Sequence, residues 1–191
     1  MKNNVYKMVL SAFLIAVGIL IPSIFPKIVI PPMSFTLASH VAIMVAIFIS
    51  PSVAVAVALG TTLGFLMSGL PITIVVRALS HVVWAFGGAL YLSKKPETMQ
   101  SPMKSTMFML AIALVHAICE IAVVIPFYFG TTNINEFIYL IFGLVGVGTI
   151  VHSSVDFIIS VGVWKVLSRN MQIRKVSNVK RVTFVRQAVE A

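Results

Sequence analysis

From Val5 to Leu167 the chain is a succession of apolar stretches, most of them of helix length, separated by proline or by short polar segments. No other feature limits the fold as much. A membrane-spanning helix needs roughly 20 mainly apolar residues, so a chain of this length has room for about six. Charged residues make up 10% of the 191 positions, against roughly 25% in soluble domains. Lipid must therefore solvate most of the surface. The expectation is an all-α, multi-pass protein of the cell membrane. Its six-helix transmembrane domain covers residues 1–168, and a basic tail, 169–191, follows.

Proline sets the expected boundaries. Helix 1 is placed from Val5 to Ile21, ending at Pro22. Pro22, Pro26, Pro31 and Pro32 exclude a regular helix through their segment, so residues 23–37 read as a long loop. Helix 2 is placed at 38–49, helix 3 at 52–67 and helix 4 at 71–92, the last with proline at the favoured first-turn position. Helix 5 is placed at 105–125 and helix 6 at 136–167, with "PFYFGTTNINE" as the loop near the start of helix 6. Helix 2 is short for a full span. The N-terminus resembles a secretory leader, but no small-x-small cleavage site follows, so it reads as a retained first helix. The single cysteine, Cys119, lies in an apolar run and reads as a small packed hydrophobe.

Lysine and arginine orient the helices. With six spans, one side carries Lys2, Lys7, Lys94, Lys95, Lys104, Lys165 and the tail residues Arg169, Arg174, Lys175, Lys180, Arg181 and Arg186; the other carries Lys27. Both termini are thus expected in the cytoplasm, and the proline segment between helices 1 and 2 outside. The net charge of +9 is largely this bias. The tail suits contact with anionic lipid and is not read as a nucleic-acid binder.

Within this frame, "VVRALSHVVW" is anomalous: Arg77 and His81 sit four apart among valine, leucine and alanine. Two more intramembrane pairs share the spacing, His116/Glu120 and His152/Asp156. Residues i and i+4 share a helix face, and a charge facing lipid is costly, so the three faces should point inward. At 1.5 Å per residue, Arg77 lies about 9 Å and His81 about 15 Å below the outer end of helix 4. On helix 5, Glu120 lies about 8 Å and His116 about 14 Å below the outer end. Arg77 and Glu120 therefore share a level, with His81 and His116 beneath them. The set reads either as a lock between helices 4 and 5 or as the lining of an externally facing polar site. His152 and Asp156 read as a pin for helix 6.

The guanidinium fork of Arg77 matches the two oxygens of a carboxylate. Histidine can donate or accept, which suits a hydroxyl, an amide or a ring nitrogen. Candidate substrate-binding residues are Arg77, His81, His116, Glu120, His40, Ser39, Ser80 and Trp84; "SFTLASH" also brings Ser34 and Thr36 to the proline segment. Phe86, Phe127, Tyr128 and Phe129 are further aromatics, the last three read as interfacial anchors. Ala12-x-x-x-Ala16 and Gly60-x-x-x-Gly64 are small-residue ridges that permit close helix approach. "GLVGVG" at 143–148 lies mid-membrane and reads as tight packing. There is no Walker A sequence and no HExxH, and no cofactor or metal ligand is assigned.

Together these features resemble the substrate-binding S components of energy-coupling factor (ECF) vitamin transporters. The resemblance covers about residues 5–168 and is carried by size, helix number and "LSAFLIAVG". "FTLASHVAIMVAIFISP" and "IVVRALSHVVWAFGGALYL" resemble members for small carboxylated B vitamins, nicotinate or pantothenate. It implies capture of a vitamin outside the cell, a lid between helices 1 and 2, and docking through Ala12 and Ala16 on a transmembrane coupling protein. It also implies import driven by two cytoplasmic ATPases. Two readings from other classes remain beside it: a free-standing proton-linked carrier or channel, and an intramembrane metal-dependent enzyme built on the histidines and carboxylates.

Overall fold

A computed structural model describes residues 2–30, 33–130 and 133–182. Pro31 and Pro32 of the expected lid, Thr131 and Thr132, and the tail from residue 183 on, with Arg186, lie outside the described residues. The protein is a helical bundle. Helix α1 is Lys2–Ile24, α2 Val41–Ile49, α3 Pro51–Met67, α4 Ile72–Lys94 and α5 Pro102–Tyr128. Helix α6 covers Ile134–Leu167 and α7 Met171–Val176. Four of these, α1, α4, α5 and α6, are long and apolar enough to cross a membrane, and α3 is a shorter apolar helix.

The observed elements depart from the expected ones at several points, among them the start of α2, which lies at Val41 rather than at residue 38. Helix α1 runs past Pro22 to Ile24, and α5 past Pro126 to Tyr128. A proline removes one N–H from the ladder, and each helix tolerates that loss in its last turns. The segment after α1 is not a plain loop. Strands β1 (Lys27–Ile30) and β2 (Met33–Thr36) pair antiparallel, with Lys27 opposite Thr36 and Ile30 opposite Met33. Within α6, Tyr139–Val147 is wound as a π-helix. Glycines at 143 and 146 fall in this stretch, where little side-chain bulk opposes the wider turn.

Helix α2 is the axis of the bundle. All nine of its residues are buried, although at 1.5 Å per residue it is only about 14 Å long. It runs away from the hairpin and reverses at Ser50, whose hydroxyl caps the Val53 N–H with Pro51 at the first helical position. Helices α1, α3, α4 and α6 surround it. Helix α1 lies against α3 because Gly60 and Gly64 leave room for Ile15 and Ile19, where a Cβ would collide. Ala12 and Ala16 are exposed on α1, beside exposed Val9, Phe13 and Leu20. Beyond α6 the chain folds back, and Asn178 and Val179 donate backbone hydrogen bonds to the carbonyls of Ile49 and Phe48 at the end of α2. Val179 and Val182 are buried there. Helix α1 contacts α7, which packs at the end of the bundle opposite the hairpin.

Candidate functional site

Beneath the hairpin lies a cavity of about 120 Å³. Helices α1 to α6 and the hairpin all supply its wall. Ile43, Phe65, Leu70 and Ile74 give it apolar surface; Lys27, Ser34, Thr36, Ser39, His40, Thr61, Arg77, His81, Glu120 and His152 give it polar groups. Gly18 and Pro22 of α1 also line it. Pro22 has no N–H to offer the Gly18 carbonyl, so the irregular end of α1 faces the cavity.

The level shared by Arg77 and Glu120 in the sequence is a direct contact here: an Arg77 terminal N–H donates to Glu120 Oε2 at 3.0 Å. The Thr149 hydroxyl donates to the same oxygen at 2.7 Å. His81 Nε2 and His116 Nε2 stand 3.5 and 3.3 Å from Oε1, too poorly aligned to bond. Glu120 is thus a buried carboxylate surrounded by donors, as a charge in a low-dielectric interior requires. Arg77 is only half committed, because its buried Nε has no partner among the described residues.

Asp156, one α6 turn beyond His152, organises the start of α2. Its Oδ1 accepts the Ala38 N–H at 2.8 Å, and its Oδ2 accepts the His40 N–H at 2.9 Å and faces His40 Nδ1 at 3.1 Å. Helix α2 has no capping side chain of its own, so a distant carboxylate meets the positive end of its dipole. The turn into α2 places Ala38 at φ +67°, a left-handed conformation that costs an L-residue roughly 1–2 kcal/mol. The two Asp156 hydrogen bonds hold that turn. Ser39 Oγ lies 3.0 Å from His152 Nε2 and 3.3 Å from His40 Nδ1.

Of the candidates named from the sequence, Arg77, His81, Glu120, His40 and Ser39 line the cavity; His116, Ser80 and Trp84 do not. His116 is fully buried behind it, with Nδ1 3.3 Å from Ser153 Oγ. Trp84 is buried against His116 and His81, at ring-centroid distances of 4.8 and 5.5 Å. The Ser80 hydroxyl donates to the Arg77 carbonyl of its own helix. Phe127 and Phe129 are exposed, and neither they nor Phe86 line the cavity. His152 does line it, although its spacing from Asp156 reads only as a pin; Ser34 and Thr36 also line it. Lys27 and Thr61 had no signal, since neither carries an i+4 polar partner in an apolar run.

The hairpin is seated as well as strung across the cavity. Phe35 lies against Gly148, where a Cβ would come within 2.8 Å of its ring, and edge-on to His152 at 5.6 Å. Gly146 has Ile121 as its neighbour, so Gly146 and Gly148 of "GLVGVG" sit in close packing, whereas Gly143 meets only Tyr139 of its own helix.

The chain is 43% identical over 176 residues, 90% of its length and 79% of the relative's, to the niacin transporter NiaX of Lactococcus lactis subsp. cremoris (strain MG1363). No family model and no solved structure matches it.

Proposed function

The chain belongs to the S components of vitamin transporters, in the niacin-type branch, and on that premise we propose that it captures niacin in the cavity beneath the hairpin. It is a multi-pass protein of the cell membrane and a transporter, not an enzyme. The observation that carries the ligand assignment is Arg77 on the cavity wall, its Nε without a partner among the described residues. A nicotinate carboxylate would accept from that nitrogen in a charge-assisted bond. The ring would lie against Ile43, Phe65, Leu70 and Ile74, with its nitrogen toward the histidines. A cavity of about 120 Å³ is small beside the roughly 300–1,000 Å³ of sites for drug-sized ligands. It suits a single aromatic ring better than pantothenate, which is longer and flexible.

In the same reading the bundle has six spans, α1 to α6, with α2 and α3 completing the set. The hairpin end, carrying Lys27, faces outward. The opposite end carries the basic residues of the α4–α5 connection and the tail, and faces the cytoplasm. Delivery inward would use a transmembrane coupling protein and two cytoplasmic ATPases. Exposed Ala12 and Ala16 on α1 would be the docking face, since the other side of α1 is taken by Gly60 and Gly64.

The test is to purify the protein in mild detergent from cells grown in rich medium, denature it, and identify released small molecules by mass spectrometry. Niacin at close to one per chain supports the proposal. Stoichiometric pantothenate instead, or failure of a folded sample to bind niacin in a titration, overturns it.

A further inference from the structure

At the floor of the cavity and just behind it, three imidazoles from three helices meet: His40 and His81 line the cavity, and His116 is buried beneath them. The ring centroids of His40, His81 and His116 lie 4.7 to 4.9 Å apart, and one ligand nitrogen from each lies within 4.8 Å of the other two. Three imidazoles clustered this closely are an unusual use of interior volume. Their hydrogen bonds make the arrangement directional. His40 Nδ1 faces Asp156 at 3.1 Å and His116 Nδ1 faces Ser153 Oγ at 3.3 Å, both on α6. For His40 and His116 that leaves Nε2 as the nitrogen not engaged by α6; Nε2 of His116 and of His81 stand 3.3 and 3.5 Å from Glu120 Oε1. Both are buried and make no hydrogen bond among the described residues. A carboxylate or hydroxyl behind one ring nitrogen, with the other left bare, is how proteins orient histidine toward a metal ion.

We infer that His40, His81 and His116 form a site for a divalent transition-metal ion of the zinc or cobalt class, and that the vitamin's ring nitrogen completes its coordination from the cavity. The second clause rests on the niacin reading above. Three imidazoles with one open position are a common zinc arrangement, with metal–nitrogen distances of about 2.0–2.1 Å. Bringing the three nitrogens onto one ion needs them roughly 3.3 Å apart, a modest inward movement of rings that already face one another. The electrostatics favour a cation. Glu120 and Asp156 border the cluster and Arg77 is the one guanidinium beside it, while Lys27 stands at the exposed hairpin. The sequence gives no metal-ligand spacing because the three residues come from the α2 N-terminus, α4 and α5. A pyridine nitrogen is a good ligand for such an ion, and a bound ion would distinguish a pyridine from a benzene ring of the same shape.

The experiment uses the full chain, purified without a histidine tag, stripped with a chelator and titrated with cobalt(II) while its visible absorption is followed. The expected result is one cobalt(II) per chain with the intense bands of a four-coordinate site, which shift when niacin is added. Niacin affinity should fall at least tenfold in the stripped protein. His81→Asn, which nearly keeps the side-chain volume, and His40→Gln should each weaken cobalt(II) binding at least a hundredfold in a monodisperse sample. Absence of stoichiometric cobalt(II) binding, or a spectrum that niacin leaves unchanged, overturns the inference. If niacin binds the stripped protein at full affinity, the metal site falls and the niacin reading stands. If cobalt(II) binds but niacin does not, with or without metal, the niacin reading falls and the coordination clause with it.

Discussion

At the scale of single residues, the buried ion pair sets what substitutions can report. Arg77 both faces the cavity and offsets Glu120, so removing it leaves a buried carboxylate short of a cation. Breaking such a pair from one side costs about 3–5 kcal/mol. Arg77→Ala should therefore lower the melting temperature and weaken niacin binding together. Arg77→Lys keeps the charge but not the fork, and should weaken binding tenfold or more with a smaller loss of stability. Isothermal titration beside a thermal melt separates the two, and wild-type affinity in a folded Arg77→Lys sample would remove the anchor role. Asp156→Ala is expected to be more disruptive, because it strands the Ala38 and His40 N–H groups. Each buried orphan costs about 1–3 kcal/mol, and the left-handed Ala38 turn loses what holds it. A melting temperature within a degree or two of wild type would mean that Asp156 does not hold the turn. The Arg77–Glu120 contact was legible from helix direction and rise per residue. The Asp156 contacts were not, because they join residues 118 and 116 positions apart in sequence and end on backbone groups, which carry no sequence signal.

At the scale of elements, the long apolar helices were legible because apolar length and proline report directly on them. The hairpin was not, for a physical reason: proline spacing says what the segment cannot be, and two four-residue strands are too short for alternation to stand out. Nor was it evident that α2 is wholly enclosed, since a stretch such as "VAIMVAIFI" suits lipid and protein neighbours equally. The hairpin's seat gives a prediction of its own. Gly148→Val fills the space occupied by the Phe35 ring and should unseat β2, and Ser34 and Thr36 with it, while leaving Arg77, His81 and Glu120 in place. Niacin dissociation, followed by stopped-flow fluorescence or filter release, should accelerate several-fold with a smaller change in the association rate. An unchanged dissociation rate would mean that Phe35 and Gly148 do not govern retention.

At the scale of the whole molecule, the two sides of α1 have different surroundings. One side is committed to α3 through Gly60 and Gly64, while Ala12 and Ala16 are presented outward. Ala12→Trp should abolish co-purification with a coupling protein and leave niacin affinity within about twofold of wild type, since neither Ala12 nor Ala16 lines the cavity. Co-purification at wild-type yield would move the docking face elsewhere. The folded-back segment makes a second whole-chain prediction. A chain ending at residue 168 loses the partners that Asn178 and Val179 give to Ile49 and Phe48, and uncovers the end of α2. It should melt well below the full chain in the same detergent, whereas a chain ending at residue 182 should not.

That last contact has a bearing on how the protein is made. Helix α2 emerges from the ribosome early, is too short to settle across a bilayer alone, and is finally fixed by backbone groups more than a hundred positions later in the chain. During synthesis it must wait until the segment after α6 has been made. The bundle is therefore completed only after translation of its last helices, and a stalled or nicked chain would be a substrate for membrane quality control rather than a weak transporter.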